Sequence, residues 1–475
     1  MMNERLVFGY GTSGHGGEAP STRLSQAPAV ATPASAAPGP APASRERREL
    51  AYTGLLGFTA LLFFRPQDQI PILNPLHLAE LSALVALAAM VFGRLSRGLN
   101  VTRFTPELGA VVGLGVLILA TAPFSIWMGG SVHTFTDIYV KIILIFVLMV
   151  NTLTTPKRID RFLWLIVIAS GYIGFRAVFD YARGINLVEN GRVQGAVGGM
   201  FKNPNDLALN MVAVMPFAAL FVMRSIGVLR RLIAAGCALM MLGAIVGSQS
   251  RSGTIGLAIM VLFLGAHLLR RRPGMAIAGA LALVLALPLM PSSYWHRLSS
   301  ITDQSQDETG SREARRILLK ESFRAFLEHP ITGVGAGQFK NYDPEGRQEA
   351  WRESHNIVLQ VAAELGIFGL GLLFFLIGRA AMAGRSTRRL LRKAADVISP
   401  EERTWLLWYT AATTAALAGW FVCALFASVA YNWTFYYLLA LAIAPREVLL
   451  QRLYGTRRAA KPSMMPAMQV REARA

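Results

Sequence analysis

Four positions in this 475-residue chain pair a reactive or strongly charged side chain with a setting in which it could act: His355, Arg192, Arg251 and Arg312. His355 opens the stretch HNIVLQVAAELGIFGLG, at the mouth of an apolar run. An imidazole titrates near neutrality and can take a proton from a hydroxyl, although a histidine at a loop edge also serves as a cap or a surface group. Arg192 lies in VENGRVQGAVGG, where glycines let a ligand approach the backbone; a solvated loop charge is the plainer alternative. Arg251 follows an apolar run in SQSRSG. A cation at a bilayer edge away from the other basic residues is a functional candidate, and a snorkelling interfacial arginine is the plainer reading. Arg312 begins an amphipathic segment, and a helix N-terminus attracts phosphate. The chain shows no metal-ligand spacing, no CxxC pair and no DxD sequence, so no cofactor is expected. Its two cysteines, Cys237 and Cys423, fall inside apolar runs and read as packing residues.

The elements that must position these groups are membrane helices. Hydrophobic residues make up 53% of the chain and charged ones only 16%, with a mean hydropathy of +0.42. That is too apolar for a soluble chain of this length. The apolar runs predict about twelve transmembrane helices, near 50–64, 76–93, 107–128, 137–153, 162–182, 204–223, 232–249, 254–269, 274–290, 355–378, 404–428 and 431–446. The net charge of +19 is concentrated in short loops that fall on one side under strict alternation. Examples are Arg94, Arg97 and Arg103, then Lys157, Arg158 and Arg161, then Arg270, Arg271 and Arg272. The charge is therefore topological, puts both termini in the cytoplasm and gives no support to nucleic-acid binding. The expectation is an all-α polytopic protein of the bacterial inner membrane with one long helical periplasmic loop. Residues 1–44 form a disordered Ala/Pro-rich cytoplasmic tail without a signal peptide, and 45–290 the first nine helices. Residues 291–354 form the periplasmic loop, 355–446 the last three helices, and 447–475 a basic cytoplasmic tail.

Within the loop, ETGSREARRILLKESFRAFLEHP predicts an amphipathic helix capped by Ser311 and ended by Pro330. Leu319, Phe323 and Phe326 give an apolar stripe, beside a basic stripe of Arg312, Arg316, Lys320 and Arg324. Such a helix suits either a membrane surface or a solvated face. Arg176 and Asp180, four apart, are expected to pair on one helix. Tyr431, Trp433, Tyr436 and Tyr437 read as an interfacial aromatic belt. Glu364 reads as a structural hydrogen-bonding group, and Gly366 and Gly369 as sites where a neighbouring helix packs closely.

The spacing His355-Asn356, nine residues, Gly366, two residues, Gly369 resembles the motif of the O-antigen ligases. HPITGVGAGQF upstream, and GSQSRSGTIGL with its Ser-Arg pair, resemble further segments of the O-antigen ligase and polymerase superfamily; the likeness covers about 190–380. It implies a GT-C-like membrane glycosyltransferase. Such an enzyme moves a glycan from undecaprenyl diphosphate to an acceptor hydroxyl outside the cytoplasm, without a metal and with inversion. The acceptor is lipid A-core in a ligase and another glycan in a polymerase. On this resemblance His355 is the base, and Arg192 and Arg251, with Arg312 as a third candidate, hold the departing diphosphate. The rivals are a polymerase of the same superfamily, a protein O-glycosylating ligase, and a lipid-glycan flippase without chemistry. A flippase would be expected to show inverted repeats and midplane charges.

Overall fold

The computed structural model describes residues 42–460, apart from 189–190, 226, 287, 289, 300–310 and 350. Of the proposed tails, 1–41 and 461–475 fall outside the described residues, while 447–460 continue the last helix, with Val448 and Leu449 buried, rather than starting a tail. Helices stand at all twelve expected places. They are α1 (Pro42–Phe64), α2 (Leu78–Leu95), α3 (Pro106–Thr121), α4 (Met128–Thr152), α5 (Pro156–Arg183), α6 (Pro204–Arg224), α7 (Val228–Ser248), α8 (Arg251–Arg271) and α9 (Pro273–Ala286). The loop helix α10 (Ser311–Glu328) follows, then α11 (Ile357–Lys393), α12 (Pro400–Ala424) and α13 (Trp433–Ala460). Ten of the described helices are long and apolar enough to cross a membrane, so the chain is an all-α polytopic membrane protein. The exceptions among the twelve are α1, whose N-terminal third is charged, and α9, which spans about 21 Å at 1.5 Å per residue. The only strands among the described residues are β1 (Leu187–Val188) and β2 (Arg192–Val193), a two-residue antiparallel pair.

Helix starts follow from local sequence. Thr105, Thr155, Asn203 and Ser399 cap α3, α5, α6 and α12 with side-chain oxygens, and each is followed by proline in the first turn. Side-chain contacts sort the helix ends into two sets, and no contact described here joins them. At one end, Arg158 pairs with Glu49 at 2.8 Å and Arg452 with Glu402 at 3.0 Å. There too Glu107, fully buried, receives Arg446 in a two-pronged pair at 2.8 and 2.9 Å and Arg379 at 2.7 Å. At the other end, Asp68 accepts the Gly198 N–H at 2.9 Å, Ser125 donates to Val334 O at 3.1 Å, and Tyr294 meets Thr254 at 2.9 Å. Each helix from α1 to α9 and α11 to α13 runs from one set to the other, as alternation demands. The basic loops lie with the first set; the second is the site end.

Two local expectations are corrected. Asp180 is fully buried and accepts the Asn186 amide at 2.6 Å, while Arg176 reaches the Tyr172 hydroxyl; the two do not pair. Burying Asp180 turns it inward, whereas Arg176 keeps to the half-exposed face. Tyr436 and Tyr437 are core residues, bound to Ala430 O at 2.9 Å and to Thr59 at 3.1 Å. A buried tyrosine hydroxyl needs a partner as much as an interfacial one does, and here helices supply it. The loop helix stands where it was expected: α10 buries Ala314, Leu318, Ser322 and Ala325, and leaves the stripe through Leu319 and Phe323 exposed.

Candidate active site

The site is organised by a break in α11. Asn356 caps the helix, its Oδ1 accepting the N–H groups of Val358 and Leu359 at 2.9 and 3.0 Å. Its Nδ2 donates to Leu425 O at 2.9 Å, which ties this start to the end of α12. After nine helical residues the chain leaves helical geometry at Gly366, where φ is +63°. The backbone groups freed there are taken by the segment ahead of the motif. Ile367 N–H donates to Pro330 O at 2.8 Å, Val334 N–H to Ala363 O at 2.8 Å, and Gly335 N–H to Glu364 O at 3.0 Å. The Glu364 carboxylate, 4% exposed, accepts the Gly337 N–H at 2.9 Å.

This corrects the expected role of the glycines. A Cβ on Gly366 would collide with the backbone of Pro330 and Ile331, and on Gly369 with Leu365 across the break. Both permit the break and its docked loop; neither makes room for another membrane helix.

His355 sits just before this helix with φ +50°, its N–H bound to Ser428 Oγ at 2.9 Å. Ser354 also reaches Ser428, at 3.5 Å. Burial, together with the cations Arg315 and Arg352, pushes the half-buried imidazole down to about 4. It is therefore neutral at pH 7 and can accept a proton.

Beside it lies a cavity of about 1260 Å³, enclosed by α1, α2, α4 and the site-end loops. Its wall carries Asp206, Glu353 and Glu364 together with Arg65, Lys141 and Lys340. Ser428 and Glu353 line it, so His355 stands one residue behind the wall. Burial raises the Glu353 carboxyl, against the opposing pull of Lys340 and the Ser428 hydroxyl. Asp206 is close enough to Glu353 for their charges to interact.

Arg192 and Arg251 are drawn together through Asn205. Arg192, 7% exposed, donates to Ser248 O at 3.0 Å and to Asn205 Oδ1 at 2.8 Å. Ser250 donates to the same oxygen at 2.9 Å and caps α8, whose first residue is the half-buried Arg251. The 248–252 turn also receives Cys423 Sγ on Ser252 O at 3.3 Å, near the end of α12 that holds Asn356. Arg312 lies in the first turn of α10, with its side chain outside the described residues. Among the described residues of that helix, Arg315 is a cation that acts on His355.

Sequence reasoning missed Ser428, Asp206, Glu353, Lys340 and Arg315. Only Arg315 carried a signal, as part of the basic cluster at the start of the loop helix. The others are ordinary polar residues that become neighbours through folding. Among the described residues no three His, Cys, Asp or Glu side chains are grouped to hold a metal.

No curated protein matches the chain. Residues 236–374 match the family model described as O-antigen ligase. That segment contains the Ser250–Arg251 turn, the loop helix, His355 and the break at Gly366, and the match supports membership of the O-antigen ligase and polymerase superfamily, whose members are glycosyltransferase-like enzymes.

Proposed function

We propose that the protein is an O-antigen ligase-type glycosyltransferase of the bacterial inner membrane, with its site on the periplasmic side. A glycan passes from undecaprenyl diphosphate to an acceptor hydroxyl, on lipid A-core or another glycan. The observation that carries this reading is the placement of His355, held by Ser428 beside a large cavity, with Arg315 and Arg352 acting on its imidazole. In the proposed step the acceptor oxygen attacks the anomeric carbon and the bond to the diphosphate oxygen breaks. His355 takes the acceptor proton. Arg251 and Arg192, with Arg312 at the loop helix, stabilise the charge that gathers on the leaving diphosphate. Leu81 and Leu84 both line the cavity and are exposed on α2, so a polyprenyl chain has an apolar lateral route to the site.

The test is transfer from an undecaprenyl-diphosphate glycan in proteoliposomes with chelator present, comparing wild type with His355→Ala. Metal-independent transfer to lipid A-core that is lost in the variant supports the ligase reading. Lengthening of the lipid-linked glycan instead makes the protein a polymerase. Undiminished transfer by His355→Ala removes His355 as the base, and no covalent product at all overturns the enzyme reading.

A further inference from the structure

The outward face of α10 is not explained by glycan transfer. The helix buries Ala314, Leu318, Ser322 and Ala325 against the site-end core, yet it also exposes a second apolar stripe. Leu319, Phe323 and Leu327 follow one another at four-residue spacing, and Ile331 continues the line beyond the helix. Phe323 is 51% exposed, Leu327 61% and Ile331 62%. Arg316 and Lys320 are exposed on the same helix.

The position of this stripe relative to the bilayer follows from α11. From Ile367 to Lys393 the helix runs about 40 Å at 1.5 Å per residue, against about 30 Å of hydrocarbon, so the part beyond the break spans the core alone. The break at Gly366 therefore stands at the membrane boundary. Ile367 and Phe368, just past it, are exposed, as residues of a lipid-facing surface would be. Ile331 adjoins them, because Pro330 O accepts the Ile367 N–H. On the other flank Ile126 N–H donates to Val334 O at 3.1 Å, bringing exposed Phe124 and Trp127 to the same level. The stripe on α10 is thus continuous with the lipid-facing surface and with an aromatic edge typical of the interface.

We propose that the outer face of α10 docks into the headgroup layer of the bilayer that the chain spans. Phe323 and Leu327 enter the acyl boundary, and Arg316 and Lys320 meet lipid phosphates. One consequence reaches the site. The same helix carries Arg315, which acts on His355, so the bilayer surface holds that cation in place.

The test places single cysteines at Phe323, at Leu327 and, as a control, at Glu345 on an exposed turn of the same loop, with Cys237 and Cys423 replaced by alanine. Each is labelled with an environment-sensitive fluorophore and reconstituted into vesicles of phosphatidylcholine and phosphatidylglycerol. The expected result is several-fold stronger quenching by lipid-borne nitroxide at 323 and 327 than at 345, and weaker quenching by aqueous iodide. The contrast should persist as protein is diluted in lipid. Equal iodide access at all three positions would overturn the proposal. So would lipid shielding that disappears on dilution, which would mean the face packs against a second copy. Leu327→Glu, at an exposed position, should reduce the lipid quenching at 323 without loss of folded protein.

Discussion

The Glu364 carboxylate accepts the N–H of Gly337 at 2.9 Å, and so fastens the loop ahead of His355 to the helix behind it. The two residues flank the break at Gly366, and the bond forms only when the loop is seated in it. Gly366 is the residue this arrangement can least spare. Any side chain there meets the carbonyl side of Pro330 and Ile331, in a positive-φ extended conformation that is essentially reserved for glycine and alone costs about 1–3 kcal/mol. Gly366→Ala should lower the melting temperature in detergent and abolish transfer. Gly371→Ala, on the same helix with open space around it, should leave both near wild type. Equal melting temperatures for the two variants would remove the break as a structural requirement.

At the opposite end, Glu107 is fully buried between Arg379 and Arg446 and joins α3, α11 and α13. Removing its charge takes the carboxylate from Arg379 and leaves Arg446 with Glu447 alone, in a low-dielectric setting. Breaking such a buried cluster from one side costs about 3–5 kcal/mol. Glu107→Gln should therefore destabilise strongly in thermal unfolding. Pairing it with Arg446→Met should recover part of the loss, because an apolar replacement removes one of the two buried cations that shared Glu107. A double variant no more stable than the single one would show that the ion pairs themselves hold the three helices.

The sequence made the helices legible because apolar runs alternate with basic loops, and membrane physics leaves few other readings. It made His355 and Asn356 legible through one spacing, and the structure gives that spacing a physical meaning. Asn356 starts a helix of nine residues and Gly366 ends it. The break itself was hidden, since a glycine inside an apolar run reads as easily as a packing site. Asp206, Glu353 and Ser428 were hidden for a different reason. They are far apart in the chain, unremarkable in type, and meet only when α6, the long loop and the end of α12 close around the cavity. Tyr436 and Tyr437 were misread because an amphipathic ring looks the same at an interface and in a core whose helices offer it partners.

Arg192 separates two roles that the sequence merges. Its guanidinium braces Ser248 and Asn205, and Asn205 in turn holds Ser250 next to Arg251. Lysine keeps the charge and loses the planar fork. Arg192→Lys should therefore lower both thermal stability and transfer, and should raise the KM for the lipid-linked donor. Arg251→Lys, which leaves the Arg192–Asn205 brace intact, should affect donor KM with little change in melting temperature. If Arg192→Lys left stability untouched, the brace would be incidental.

The low proton affinity of His355 has a sign that can be measured twice. Its folded value is about 4 against an ordinary 6.5. Between those values the unfolded chain binds the proton and the folded chain does not, so folded stability falls as pH drops from about 6.5 through 4. The full loss is on the order of 3 kcal/mol for this one group, at about 1.4 kcal/mol per pH unit of displacement. His355→Gln should flatten that part of the stability profile while abolishing transfer. In the wild type the base stays unprotonated well below pH 6.5, so protonation of His355 should not reduce kcat/KM between pH 7 and 5.5. Replacing Arg315 by glutamine removes one of the two cations acting on the imidazole and should move its protonation upward. A transfer rate that dropped with an apparent value near 6.5 in the wild type, unshifted in Arg315→Gln, would show that the imidazole is solvated as in a free histidine and that neither cation governs it.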